Sequence, residues 1–558
     1  MSETKLVPNL HAQSVSTFDA GTLNSDGYGD VSGFTASGID YEKLVRSEPY
    51  VDDIFRKRVL IVGAGITGIQ QAAILLDETP IKHEDMIIVD AQEGYSGVWA
   101  KNKYPGCACD VPAIIYTTSF FPNKKWTHFY ARRDQIEDYY SRFAHSYSLH
   151  RCTDFNSLVR ACIWDDNQMV WHVFVEKKGT GRVTHWIADV ICQCVGSLDT
   201  PKFGNTPGRE IYKGVSWHTA HWRDDYSLAG KKVAIIGCGP SAAQIIPEII
   251  DKVGQLTVYM RTPPVCVPRN DYAYSSLFKW AVNWVPGFLR FIRYRMNVRM
   301  GGAFKTATNE SKENNNMTAT SIAFMESQIS DPALREKVRP DSKYYCKRPL
   351  RLDNFYTFLA KPNCVVLRDR LIRYTEAGVM SADRESGKET ERSFDVIIYG
   401  TGFNTAQHLE HETILGIDGL NLQNKWTDHP EALYGVATNQ FPNMFMCFGP
   451  NSASLWNSQQ DNWELQARFA AKAVKEILKR SVRGEKVAIH PTAEREREYN
   501  DEVQVKQSQF VWSQPGCVTY YKNDDGWNTY TMPWTFTQFR NLLGKIRWGE
   551  WTVLSKRA

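Results

Sequence analysis

Two glycine-rich turns carry the chemistry that the residue types make readable first. Gly63-x-Gly65-x-x-Gly68 follows an apolar run at 58–62 and precedes a helical stretch at 69–76, and a second apolar run at 86–89 ends in Asp90. In such a unit the first glycine permits a tight turn and the second lets backbone N–H groups reach a pyrophosphate. The third allows close helix–strand packing, and the helix N-terminus favours the anion. An acid at Asp90 accepts hydrogen bonds from a ribose and repels a 2′-phosphate, which suits FAD or NAD. The grammar recurs at Gly237-x-Gly239-x-x-Ala242, with Ser241 inside it and apolar runs at 232–236 and 256–260 on either side. Here the second run ends in Arg261-Thr262 where an acid would otherwise stand. A guanidinium pairs with a 2′-phosphate through charge-assisted bonds, so this turn suits NADPH. One acidic and one basic site imply electron flow from NADPH to FAD.

The rest of the chain must position these turns. Its 558 residues are 42% hydrophobic and 23% charged, an ordinary globular composition sufficient for three or four domains. Sixty-six basic and 62 acidic residues leave a net charge of +4, too balanced for a nucleic-acid binder. The 12 cysteines include close pairs, Cys107/Cys109 and Cys192/Cys194, spaced C-x-C instead of C-x-x-C. Zinc-site spacing is missing, and reduced thiols in an intracellular compartment are expected. No metal is expected either: His408-x-x-His411 has ligand-like spacing without a third partner and reads as a solvated or hydrogen-bonded pair. The chain shows no signal-peptide pattern, no run of about 18 apolar residues and no SKL-type ending, which points to a soluble cytoplasmic protein. Nothing demands more than a monomer or weak oligomer.

The fold expected is α/β: two Rossmann-like dinucleotide-binding domains, for FAD and NADP, with a helical insertion. Residues 1–50 read as an extension, 51–205 and 380–558 as the two segments of the FAD domain, and 206–379 as the NADP domain carrying the insertion at about 272–335. The run at 395–399, ending in Gly400-Thr401-Gly402-Phe403, is expected to return to the first sheet. The aromatic, basic stretch 277–300 is expected to be helical and to pack on the body, framing the active site; a place on a membrane surface is the alternative.

Longer motifs then appear in order. They are Ser96-Gly97-Val98-Trp99-(four residues)-Tyr104-Pro105-Gly106-(three residues)-Asp110, then Tyr212-x-Gly214-x-x-x-His218-x-x-x-Trp222, and finally Cys346-Lys347-Arg348-Pro349. With the Gly400–Phe403 motif they resemble the Baeyer–Villiger monooxygenase family from about residue 55 to 460. Ser96 stands where Gly or Ala is usual, Tyr212 where Phe is usual, and Arg223 follows Trp222 in place of Pro or Asp. The resemblance implies an NADPH- and O2-dependent flavoprotein that turns a ketone into an ester or lactone. Arg348 would be the catalytic guanidinium, charged at every working pH, and Asp110 would orient it. Gly97, Val98, Trp99, Tyr104, Ala108, Cys109, Tyr116 and Val159 would join the flavin site. Lys347 would join Arg261 at the 2′-phosphate, and His218 with Trp222 would couple the domains instead of moving protons. Arg351 is an alternative guanidinium, and Trp456 a candidate pocket wall. The ending at 516–523 is similar to fungal-type members that oxidise bulky polycyclic or terpenoid ketones, which implies secondary metabolism. Oxygenation at nitrogen or sulfur, an NADPH oxidase or reductase, and a non-catalytic nucleotide-binding protein are the rival readings.

Overall fold

The computed structural model describes residues 51–405, 409 and 412–557. The N-terminal extension and the pair His408 and His411 lie outside the described residues. Two sheets organise the rest. The first has eight strands, in the spatial order Thr413–Leu415, Ser157–Asp165, Val170–Lys177, Val183–Gln193, Val51–Val62, Met86–Val89, Thr153–Asp154, with Met444–Met446 also on Val183–Gln193. Val51–Val62 runs parallel to both neighbours, pairing Ile61 with Ile88 on one side and with Cys192 on the other.

Alternation along this strand explains its double burial. Val59 and Ile61 point into one core, shared with helices Ile66–Glu78 and Gln459–Ser481, while Leu60 and Val62 point into another with Trp164 and Trp171. All four side chains are buried, each stabilising the fold by roughly 1.5–3 kcal/mol. A continuous apolar run is what a strand covered on both faces requires.

The second sheet has five parallel strands, in the order Cys364–Leu367, Gln255–Tyr259, Lys232–Ile236, Val396–Tyr399, Val215–His218. The run at 395–399 therefore belongs here and not to the first sheet, where it was expected. Val233 pairs with Val396, and Tyr399 with His218. The reason lies in the turns. Gly63, at φ +101°, backs onto the Cys194 carbonyl, and Gly237, at φ +98°, backs onto the Gly400 carbonyl; a Cβ on either would stand 2.6 or 2.5 Å from that oxygen. Each turn thus needs its own flanking strand ending at its glycine, and 396–399 serves the second. The chain returns to the first sheet only with Thr413–Leu415 and Met444–Met446, so a boundary at 380 cuts the second unit.

Between strands of the second sheet, five helices occupy the stretch from Ser276 to Val338. The first two, Ser276–Trp284 and Phe288–Gly301, pack on the first core through Phe278, Leu289, Ile292 and Met296. Among the described residues no helix is long and apolar enough to cross a membrane.

A Cβ at position 68 would stand 1.9 Å from the Gly63 carbonyl oxygen. Gly68→Ala should therefore lift the helix off its turn. A loss of about 3 kcal/mol in urea unfolding, with bound flavin absorbance falling alongside, is the expected result.

Candidate active site

Both glycine turns end in a helix N-terminus left open. Gly65 and Gly239 are the N-caps of Ile66–Glu78 and Pro240–Ile249, and neither helix has a side-chain cap or an acid in its first turn. The first amides of Ile66–Glu78, and those of Ser241 and Ala242 behind Pro240 in the second helix, are free for an anion. A Cβ at Gly239 would meet nothing within 4 Å, so there is room beside the second turn. The Thr401 hydroxyl, in the segment packed against Gly237, is buried without a hydrogen-bond partner. These features fit two dinucleotides.

The two turns differ in charge as their sequences suggested. The Asp90 carboxylate accepts from the backbone N–H groups of Ala64 (2.5 Å) and Gln92 (2.7 Å). Burial pushes this carboxyl up to about 6, against those two donors. Asp90 therefore ties the turn to its strand. At the second turn, burial lowers the Lys347 ammonium, and the like charge of Arg261 lowers it further. Two cations brought together in this way fit an anion between them, and a 2′-phosphate has the right charge.

The first unit reaches across to the second through one short stretch. The Gly97 Cα packs on Gly65, leaving 3.0 Å to a built Cβ, and Val98–Lys101 is a helical turn. Trp99 Nε1 donates to Tyr116 Oη at 3.0 Å, with the rings edge to face. Tyr104 Oη, next to Ser241, donates to Gln244 Oε1 at 3.0 Å, and Gln244 Nε2 donates to the Ala108 carbonyl at 2.9 Å. Ala242 packs beneath Gly400. Thus Trp99, Tyr104, Ala108, Tyr116, Ser241 and Ala242 gather at the seam between the units. Val159 lies elsewhere, in the core layer with Val62 and Val89, and Thr262 follows Arg261 at the end of its strand.

Strand Ala108–Pro112 carries Cys109 and Asp110. The carboxylate of Asp110 accepts two bonds from Arg348, Nε to Oδ2 at 3.0 Å and Nη2 to Oδ1 at 2.6 Å. Burial alone would raise the Asp110 carboxyl; the guanidinium outweighs it and holds it below the ordinary carboxylate range. The Arg348 side chain is still 40% exposed, so its remaining N–H groups are open to a ligand. Arg351, the alternative guanidinium, donates to the Tyr344 hydroxyl at 3.2 Å. It shares the site without replacing Arg348 as partner of Asp110.

His218 is buried, and its Nδ1 accepts from the Ala220 backbone N–H at 3.1 Å. Its ring stands between Phe203 and Phe403, each 5.5 Å away, so the fingerprint and the Gly400–Phe403 motif meet. Burial, with His221 beside it, pushes its pKa down to about 4. A ring neutral at working pH suits a packed coupling element better than a general acid. Trp222 packs edge-on against Trp217.

Two expectations need correction. The thiols are not all reduced: Cys346 and Cys517 form a disulfide, while the other ten cysteines are free. No spacing rule joins residues 171 apart in sequence, and the pairing exists because the chain end folds back onto the Arg348 segment. Trp456 is no pocket wall; it is 1% exposed and stacked with Phe510 and Trp512. Sequence reasoning also missed Arg269, which donates to the Cys109 carbonyl at 3.1 Å, and the tyrosines 520, 521 and 530, whose hydroxyls feel the Arg348 charge. Tyr520 and Tyr521 lay in a quoted motif, whereas nothing in the sequence marked Arg269.

Residues 56–415 match the family described as flavin-binding monooxygenase-like. The FAD-binding monooxygenase BOA2 of Botryotinia fuckeliana is 33% identical over 89% of this chain and 94% of its own. A Baeyer–Villiger monooxygenase of Pseudomonas aeruginosa is also 33% identical, over 87% of this chain and 89% of its own. Among solved structures, OTEMO in complex with FAD and NADP superposes with a TM-score of 0.78 at 20% identity, covering 89% of this chain and 99% of that one. The chain belongs to the flavin-binding monooxygenase-like family; it is a flavoprotein monooxygenase of the Baeyer–Villiger class.

Two outcomes follow from these geometries. Replacing both Arg261 and Lys347 by Ala should raise KM for NADPH about 10- to 100-fold while moving that for NADH less than about twofold; steady-state kinetics with both nucleotides checks this. His218, with a folded pKa of about 4 against an ordinary 6.5, refuses a proton that the unfolded chain accepts. Its stability contribution is complete above pH 6.5 and declines as pH falls towards 4, by at most about 3 kcal/mol. Urea unfolding of His218→Asn should therefore show a shallower loss between pH 7.5 and 4.5 than the unsubstituted protein.

Proposed function

We propose that this chain inserts one oxygen atom beside the carbonyl carbon of a bulky polycyclic or terpenoid ketone, in secondary-metabolite biosynthesis. It would act from the cytoplasm as a monomer or weak oligomer. Ketone, O2, NADPH and a proton give ester or lactone, water and NADP. The bidentate Arg348–Asp110 pair at the seam between the nucleotide units carries the reading. The fungal relative and the fungal-type ending at 516–523 support the substrate class.

Bound FAD, reduced by NADPH, supplies the activation of O2. The chain's own part is electrostatic and positional. Asp110 occupies two of the five guanidinium N–H groups and fixes the plane of the fork. The other three are available to the carbonyl oxygen of a ketone as negative charge develops there. Because the guanidinium never deprotonates at working pH, it stabilises that charge without lending a proton to oxygen. Lys347 and Arg261 anchor NADP by its phosphate, and the adjacency of Lys347 to Arg348 ties cofactor position to catalytic position. Tyrosines 520, 521 and 530 lie within the field of the guanidinium, which stays open to a ligand.

Arg348→Ala should keep FAD and still oxidise NADPH. Ester formation from ketone should fall about 10³-fold, with hydrogen peroxide accounting for the NADPH consumed. Arg348→Lys should not rescue it, since an ammonium cannot hold the fork geometry. Ester formation by Arg348→Ala at the unsubstituted rate would overturn the assignment.

A further inference from the structure

The helices Ser276–Trp284 and Phe288–Gly301 form a hairpin that is apolar on two sides. The inner side is accounted for. Phe278, Leu289, Ile292 and Met296 pack on the first core. Arg293 donates to Asp461 at 2.5 Å and to the Thr117 hydroxyl at 2.7 Å, and Asn297 adds a second bond to Asp461. The hairpin is therefore fixed to the body.

The outer side repeats one pattern on both helices. Leu277, Trp280 and Trp284 stand at i, i+3 and i+7, and so do Phe291, Tyr294 and Val298. These six side chains are 54–74% exposed, and the spacing places each triplet on one stripe of its helix. The exposed Val285-Pro286-Gly287 turn joins the stripes. Arg290 flanks the second stripe on one side, and Arg295 and Arg299 flank it on the other. From Tyr272 to Asn309 the sequence holds six cations and no acidic residue.

We infer that this hairpin docks the enzyme on an anionic lipid surface, lying in the interface without crossing it. Leucine, valine and phenylalanine enter the acyl boundary, and tryptophan and tyrosine rings take the headgroup level. The guanidinium groups meet lipid phosphates and carboxylates. Charge decides the occupant. A two-fold contact with a second copy would set these cations against themselves with no acid in the segment to offset them. An anionic bilayer supplies both the apolar depth and the opposite charge that the face lacks.

The test is flotation of the full-length holoenzyme with vesicles of phosphatidylcholine containing about 30% phosphatidylserine. Binding at least about tenfold above that to phosphatidylcholine alone is expected, weakened strongly at high salt. Trp280→Ser with Trp284→Ser should abolish it, and Arg295→Ala with Arg299→Ala should reduce it about tenfold or more. Both variants should retain NADPH oxidation, which reports an intact fold. Three results overturn the inference: no flotation with either vesicle, as when residues 1–50 or a second copy cover the face; binding unaffected by both variants; or binding indifferent to lipid charge. Sedimentation without vesicles identifies the second-copy case, because the Trp280 and Trp284 substitutions would then dissolve a dimer.

Discussion

Arg348 and Asp110 come from different nucleotide units, and the two bonds between them are where the architecture becomes a reaction site. The carboxylate rides on a strand that follows the first glycine turn; the guanidinium lies on a segment that returns from the helical insertion to pair, through Leu350–Arg351, with Cys266–Val267. With the Arg348 side chain 40% exposed and that of Asp110 30%, water screens the pair, so it sets the plane of the fork more than it holds the units together. Gln244 repeats the tie with neutral bonds, accepting from Tyr104 and donating to Ala108. Arg269, donating to the Cys109 carbonyl, adds a further tie, and the Cys346–Cys517 disulfide anchors the Arg348 segment to the chain end, so the seam is fastened at several points.

Around this seam the charges are sorted by the group they must meet. Asp90 is half-buried at the first turn, and its bonds from the Ala64 and Gln92 backbone keep it in register. At the second turn Arg261 and Lys347 stand as like charges, a repulsion that Asp341 offsets in part and a bound anion would offset further. Lys347 precedes Arg348 directly, so the cation beside Arg261 and the cation paired with Asp110 share one backbone segment.

Much of this was legible because local rules act within a few residues. Glycine spacing, apolar strand runs and the terminal charges Asp90 and Arg261 each concern one turn, and the structure places them at two matching crossings. What local pattern cannot carry is the identity of a distant partner. Residues 395–399 read as a strand correctly, yet the choice of sheet is decided by the carbonyl of Gly400 meeting Gly237, more than 150 residues earlier in the chain. Trp456 shows the same limit: an indole after the Gly449-Pro450-Asn451-Ser452 stretch suits a pocket or a core equally, and stacking on Phe510 and Trp512 decides for the core. The stretch 277–300 was ambiguous for a different reason. Its helices carry apolar residues on both sides, so periodicity alone could not say which face the body covers.

The disulfide is the clearest case of distant partners acting on the site. Cys346 lies two residues before Arg348, and Cys517 lies three and four residues before Tyr520 and Tyr521. Joining them brings the tyrosines to the guanidinium, which both feel. For a closed loop of this length, chain-entropy arguments give a stabilisation of about 5 kcal/mol, acting mainly by restricting the unfolded state. That effect is spread over the whole molecule, but its geometric consequence is local. Tyr521 is fully buried, its ring against Trp512 and Tyr530, so packing and the covalent bond act together there. Tyr520 stays 42% exposed beside it and the Arg348 side chain 40%, so the bridge holds the tyrosines near the charge without closing it off from solvent.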